Sequence, residues 1–313
     1  MKIRTLTTAA ALAAGVAAPG LAHAQADFFF TADSDDTLRQ GTSGSVVASL
    51  PTGTPADVEA VGSRLFYSDF GAGQRSIFSV DQAGGPVTRV VDYSGLSAFP
   101  TVFGISVSAD ANDVYFGESS TASIYRATGG SITRIVNYGT AFNVSNPLLR
   151  GSALDERNGK IYWTDARTDS VYRANLDGSA PELVLNVGAL GDGSTTPNAI
   201  ALDPEGGRLY VVDNDDFIAS ADLDGSNASV SQLAASGTSL TSFTPNDVEF
   251  FSGRLYVADG SNGVFSVDAA TGGGFVSEFG QDLNVRGVAV VPEPATAALL
   301  ALGGLTLLTR RTR

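Results

Sequence analysis

NGKIYWTDARTDSVYRANLDGS, residues 158–179, contains in compact form the unit from which the rest of the chain is built. Ile161, Tyr162 and Trp163 form a short apolar run ending in Thr164-Asp165. After a polar turn, Val171 and Tyr172 begin a second run that closes at Asn175-Leu176-Asp177-Gly178-Ser179. Two short β-favouring runs separated by turn residues read as antiparallel strands. The Asp-Gly pair suits positive φ, and Ser179 can bond to nearby backbone.

The first run recurs. It is found at Phe29-Phe30-Thr31-Ala32-Asp33, Leu65-Phe66-Tyr67-Ser68-Asp69, Val114-Tyr115-Phe116-Gly117-Glu118, Leu209-Tyr210-Val211-Val212-Asp213 and Leu255-Tyr256-Val257-Ala258-Asp259. After a first interval of 36 residues, the acidic ends repeat every 46–49 residues. A second strand follows each copy, from Thr37-Leu38-Arg39 to Val264-Phe265-Ser266, and an outer strand follows that, from Val46–Leu50 to Phe275–Phe279. Inner strands precede most copies, at Val102–Val107, Ser152–Leu154, Asn198–Leu202 and Asp247–Phe250. Four short strands every four dozen residues describe a propeller blade. The first copy begins too early to have its own inner strand, and Arg286–Val290 is an inner strand with no blade after it. The spacing therefore predicts an all-β, six-bladed β-propeller with four-stranded blades, closed by the C-terminal inner strand joining the N-terminal blade.

The acidic series Asp33, Asp69, Glu118, Asp165, Asp213 and Asp259 suits six equivalent turns, where a short carboxylate accepts backbone donors as the strand leaves the sheet. A ring of calcium or saccharide ligands is the competing reading. Trp163, in an alternating strand, reads as an interblade core aromatic, with a sugar-stacking surface as its alternative. Arg39, Arg126 and Arg173 align at one strand position, which suggests interblade pairing with acidic neighbours.

The 313-residue chain holds 33 acidic and 19 basic residues, for a formal charge of −14. That field opposes nucleic acid and anionic lipid as partners. The chain has no cysteine, which removes disulfides, thiolate zinc and a thiol nucleophile. Residues 1–26 read as a signal peptide: a basic start at Lys2 and Arg4, an Ala-rich segment over Ala9–Ala18, and small-x-small cleavage signals after Ala24 or Ala26. Cleavage there takes away His23, the single histidine, and with it triad hydrolysis and histidine-ligated metal.

At the other end, Pro292-Glu293-Pro294 precedes an apolar segment, Ala295–Leu308, and a basic terminus of Arg310, Arg311 and Arg313. As a helix the apolar segment spans about 21 Å, short of the roughly 30 Å hydrocarbon core. Thr309 and snorkelling arginines extend it towards a transient membrane anchor. This order of elements resembles the PEP-CTERM sorting signal of Gram-negative bacteria. The resemblance implies an exported exosortase substrate, in transit through the inner membrane, processed near Pro-Glu-Pro and destined for the cell surface or a biofilm matrix. The domains are then a signal peptide at 1–26, a propeller at 27–291 and a sorting signal at 292–313.

Residues 158–179 resemble the YWTD repeat of LDL-receptor class B propellers. The resemblance implies that Tyr162-Trp163-Thr164-Asp165 lies on the second strand of a blade, with Asp165 in a polar network tying adjacent blades and the aromatics packed between sheets. Three inner-strand entries carry oxygen donors: Asp57-Val58-Glu59, Thr196-Pro197-Asn198 and Thr244-Pro245-Asn246-Asp247. If they converge, Asp57, Glu59, Asn198, Asn246 and Asp247 form a hard ligand set suited to Ca²⁺. The Pro-Asn entries, followed by Ile200–Gly206 and Leu209–Asp213, are also similar to SMP-30/gluconolactonase and NHL propellers. The former resemblance implies calcium-dependent lactone hydrolysis, with Asn198 and Asn246 matching metal-binding asparagines; the latter implies binding. The leading expectation is a noncatalytic surface or matrix propeller that binds a protein or polysaccharide. A Ca²⁺-dependent lactonase and a structural matrix protein are the alternatives.

Overall fold

The second strand of each repeat is apolar on both faces rather than one. That pattern is explained by blades stacked face to face around a ring, each sheet covered on both sides by a neighbour. The computed structural model describes residues 27–50, 53–71, 73–190, 196–213, 217–232, 243–279 and 283–291. The segments read as signal peptide and sorting signal lie outside the described residues.

In chain order the strands are β1 (Asp27–Ala32), β2 (Thr37–Gln40) and β3 (Val46–Ser49), then β4 (Pro55–Val61), β5 (Arg64–Asp69), β6 (Ser76–Asp81) and β7 (Thr88–Asp92). There follow β8 (Ile105–Val107), β9 (Asp113–Glu118), β10 (Ser123–Thr128) and β11 (Ser131–Val136), and a one-turn helix α1 (Tyr138–Ala141). Next come β12 (Leu149–Asp155), β13 (Lys160–Asp165), β14 (Ser170–Asn175) and β15 (Glu182–Asn186), and β16 (Pro197–Asp203), β17 (Arg208–Asp213), β18 (Phe217–Asp222) and β19 (Ser229–Gln232). The last are β20 (Pro245–Phe251), β21 (Arg254–Asp259), β22 (Gly263–Asp268), β23 (Val276–Phe279) and β24 (Val285–Val291).

These strands form six antiparallel four-stranded sheets, and β24 is the inner strand of the sheet that continues through β1, β2 and β3. Each inner strand touches the next, β4 to β8, β12, β16, β20, β24 and back to β4, so the ring is closed. The all-β, six-bladed architecture and its two-ended closing blade are as the repeat spacing predicts.

One blade corrects the repeat alignment. Asp69 and Asp165 face the first residue of their inner strands, Pro55 and Leu149, but in the closing blade the residue facing Val285 is Ala32. The structural equivalent of the YWTD run is therefore Phe28–Ala32, one residue earlier than the sequence suggests, and Asp33 lies just past the strand. The same slip moves Arg39, which faces Phe30, whereas Arg126 and Arg173 face Tyr115 and Tyr162. Arg39 thus occupies the place of Tyr125 and Tyr172. It pairs with Asp35 four residues away, while Arg126 pairs with Asp113 and Arg173 with Glu182. The three arginines are not one repeated position.

In the central blade, Trp163 is buried, stacked on Tyr172 at 6.1 Å and edge-on to Tyr138 at 6.0 Å. It is a core aromatic, unavailable to a sugar. Tyr162 donates its hydroxyl to Leu223 O of the following blade at 3.1 Å, and Arg173 donates to the same carbonyl at 2.7 Å. Asp165 accepts from Leu148 N and Arg167 N, both at 2.8 Å, and from the Tyr138 hydroxyl at 2.7 Å. One carboxylate therefore joins the entering loop, its own turn and the loop leaving the preceding blade.

Candidate functional site: the central channel

The six inner strands line a channel, and their sequences are read side by side once the sheet registers are known. At the third position of β4, β12, β16, β20 and β24 stand Asp57, Gly151, Ala199, Asp247 and Gly287, and Gly104, just before β8, makes the same close approach to its neighbour. The bulges at Pro55/Val58, Leu149/Ser152 and Pro245/Asp247 fall here and turn this residue towards the neighbouring inner strand. Where it is glycine, adjacent backbones nearly touch. A Cβ on Gly151 would lie 2.9 Å from Ile200 N, and one on Gly287 would lie 2.7 Å from Val58 N. Where it is aspartate, a carboxylate spans the gap instead. Asp57 accepts from Ile105 N at 2.7 Å, and Asp247 accepts from Val288 N at 2.9 Å.

Asn198 and Asn246 stand one position earlier and act as staples. Each donates its amide to the first carbonyl of the next inner strand, Asn198 to Pro245 O at 2.6 Å and Asn246 to Val285 O at 2.7 Å.

Two chambers result. The wide one, about 510 Å³, is lined by Asp57, Glu59, Glu156, Asp247, Glu249 and Phe250 among others. The narrow one, about 30 Å³, is a neck at the strand entries lined by Phe70, Phe103, Arg150, Asn198, Asn246 and Arg286. Asp57 and Asp247 line both chambers, whereas Glu59 lines only the wide one and the two asparagines line only the neck. The predicted ligand set is thus divided between two spaces. Among the described residues no three carboxylate or imidazole groups gather closely enough to hold a metal ion.

The wide chamber has a further acid, Glu249, outside the predicted ligand set. Asp57-Val58-Glu59 and Asp247-Val248-Glu249 are the same triplet at the same strand positions, on the two inner strands that flank β24. That repeat was available in the sequence as the signal for Glu249. Burial pushes all four acids up, Asp247 to about 6 and Glu249 to about 8, with Asp57 and Glu59 also held well above the usual carboxylate range. Mutual repulsion adds to burial for Glu249 beside Asp247, and for Glu59 beside Glu249 and Asp247. The charge of Asp247 also raises Asp57, so the two carboxyls titrate as a pair. At neutral pH Glu249 keeps its proton, so the chamber carries fewer than four full charges.

The acidic series marking the repeats is occupied elsewhere. Asp69, Glu118, Asp165, Asp213 and Asp259 are fully buried at the strand-to-turn corners. Asp69 accepts from Thr54 N and Gly71 N, Glu118 from Thr101, Ser120 and Thr121 N, and Asp259 from Thr244, Ser261 and Asn262 N. Asp33, displaced by the register slip, pairs with Arg286 at 3.0 Å.

Fold and corner geometry together define the class: a six-bladed β-propeller with four-stranded blades. Residues 159–204 match the low-density lipoprotein receptor repeat class B family. The fold is similar to a chain in the crystal structure of a nidogen/laminin complex, with a TM-score of 0.70 and 17% identity over 85% of this chain and 98% of that one. It is also similar to TolB from Acinetobacter baumannii, at 0.58 and 14% over 86% and 66% of the two chains. A protein of unknown function from Bacteroides thetaiotaomicron VPI-5482 scores 0.55 at 18%, over 74% and 64%.

Proposed function

We propose that this chain is an exported, noncatalytic propeller that binds a protein partner through the face where the inner strands begin. One observation carries the reading. Phe99, in the loop between β7 and β8, is 74% exposed yet held in place. Ser120 donates to its carbonyl at 2.8 Å, Arg75 donates to the preceding carbonyl at 2.9 Å, and the Arg75 guanidinium stands 5.4 Å from the ring centroid. A large aromatic presented on a pinned loop loses little conformational freedom on docking, which is how interface anchors gain affinity. The class B repeat match and the fold shared with a chain of a protein–protein complex support the same reading. The signal-peptide pattern at 1–26 and the PEP-CTERM-like pattern at 292–313 support a route through the secretion machinery and an exosortase to the cell surface or matrix.

The test compares full-length protein with Phe99→Ser for binding to surface fractions of the producing cells, with and without protease treatment of the fraction. The proposal expects protease-sensitive binding that Phe99→Ser weakens at least tenfold while the melting temperature is unchanged. Protease-resistant binding, lost instead on glycosidase treatment, would replace the protein partner with a polysaccharide. Equal binding by both variants would sink the role of this face.

A further inference from the structure

The neck of the channel holds an arginine that forms no ion pair among the described residues. Arg150 lines this space from the second position of β12, and its guanidinium lies 4.2 Å from the centroid of the Phe103 ring. Its Nε is buried with no acceptor, and among the described residues its side chain makes no ion pair or hydrogen bond. In a chain with 33 acidic and 19 basic residues, a half-buried cation without a paired carboxylate is against the odds.

The nearby charge makes matters worse. Burial and the like charge of Arg286 both weaken the hold of Arg150 on its proton, though a guanidinium remains charged. Several other polar groups of the neck have partners. Arg286 pairs with Asp33, Asn198 and Asn246 donate to the next strand, and Asp57 and Asp247 accept from Ile105, Val248 and Val288 N.

We propose that the neck is a site for one small monovalent anion, a halide ion or the carboxylate head of a larger ligand, held by the Arg150 guanidinium and favoured by the second charge of Arg286. Size decides the class. A space of about 30 Å³ has room for a single small group such as a halide or a carboxylate head. The Phe103 ring stands against the guanidinium, a cation–π contact that leaves its N–H donors without an oxygen partner among the described residues.

Chloride is the probe, with the quadrupolar line width of its NMR signal read in the presence of the full-length protein. Wild type and the outer-strand control Arg89→Gln should broaden the signal equally. Arg150→Gln should reduce the excess width at least fivefold. Arg150→Lys, which keeps the charge, should retain part of it, and circular dichroism of both variants separates loss of the site from loss of the fold. Formate, a carboxylate without a tail, should displace the chloride and remove the excess width. Excess width equal in wild type and Arg150→Gln, absent in wild type, or unmoved by formate would overturn the assignment.

Discussion

At the scale of single residues, position in the corner outweighs chemical identity. Asp165 and Asp33 look like the same repeated carboxylate, but Asp165 is fully buried with three donors from three segments, while Asp33 forms a partly exposed pair with Arg286 and a bond from Asn284. Removing the first leaves buried donors unmet, each worth about 1–3 kcal/mol. Removing the second loses a solvent-screened pair worth about 1 kcal/mol or less. Urea denaturation should therefore show Asp165→Ala destabilised by about 3 kcal/mol and Asp33→Ala by about 1 kcal/mol; equal losses would restore the unslipped alignment. The corner role of Asp165 was legible in the sequence because its partners lie in its own repeat and the loops beside it. The bridging role of Asp57 was hidden, since its partner Ile105 belongs to another blade and is 48 positions away.

At the scale of elements, the strands were readable and their exact seating was not. Hydrophobic alternation and turn residues locate every blade, but Phe28-Phe29-Phe30 offers three identical side chains, so sliding β1 by one place leaves the apolar pattern unchanged. Asp33 then supplies an acid at the slid position and completes a false match. The inner strands carry a quieter code, small residue or aspartate at the third position, which becomes visible only when neighbouring backbones are seen to approach. Gly151→Ala tests it. The added Cβ would lie 2.7 Å from the Cα of Ala199, so strands must part, at a cost of about 1–3 kcal/mol by thermal or chemical denaturation. Gly95→Ala, in open space in the loop after β7, should stay within about 0.5 kcal/mol of wild type.

At the scale of the whole molecule, the channel acids couple stability to pH. Asp57, Glu59, Asp247 and Glu249 all bind protons more tightly folded than unfolded. Their contribution is complete below the unfolded carboxylate range and is lost as pH rises through about 6 for Asp247 and about 8 for Glu249. Surface carboxylates held low by hydrogen bonds, such as Asp177 and Asp222, act in the opposite direction and lose their contribution as pH falls below 4. Stability should peak on the acid side of neutrality and decline towards pH 9. Glu249→Gln should remove on the order of 2 kcal/mol of that decline, measured as urea midpoints from pH 5 to 9; a profile unchanged by the substitution would refute the assignment. The closing blade adds a constraint of time. Gly287 N and the Thr31 hydroxyl, bonded at 2.9 Å, are 256 positions apart, and β24 is the final strand of the ring. Emerging N-terminus first, the chain must keep β1 with an open edge while the other blades assemble, and the latch sets only when seven late residues arrive. Until then the protein is an unfinished circle with a sticky end, and whatever shields that edge during synthesis governs its yield.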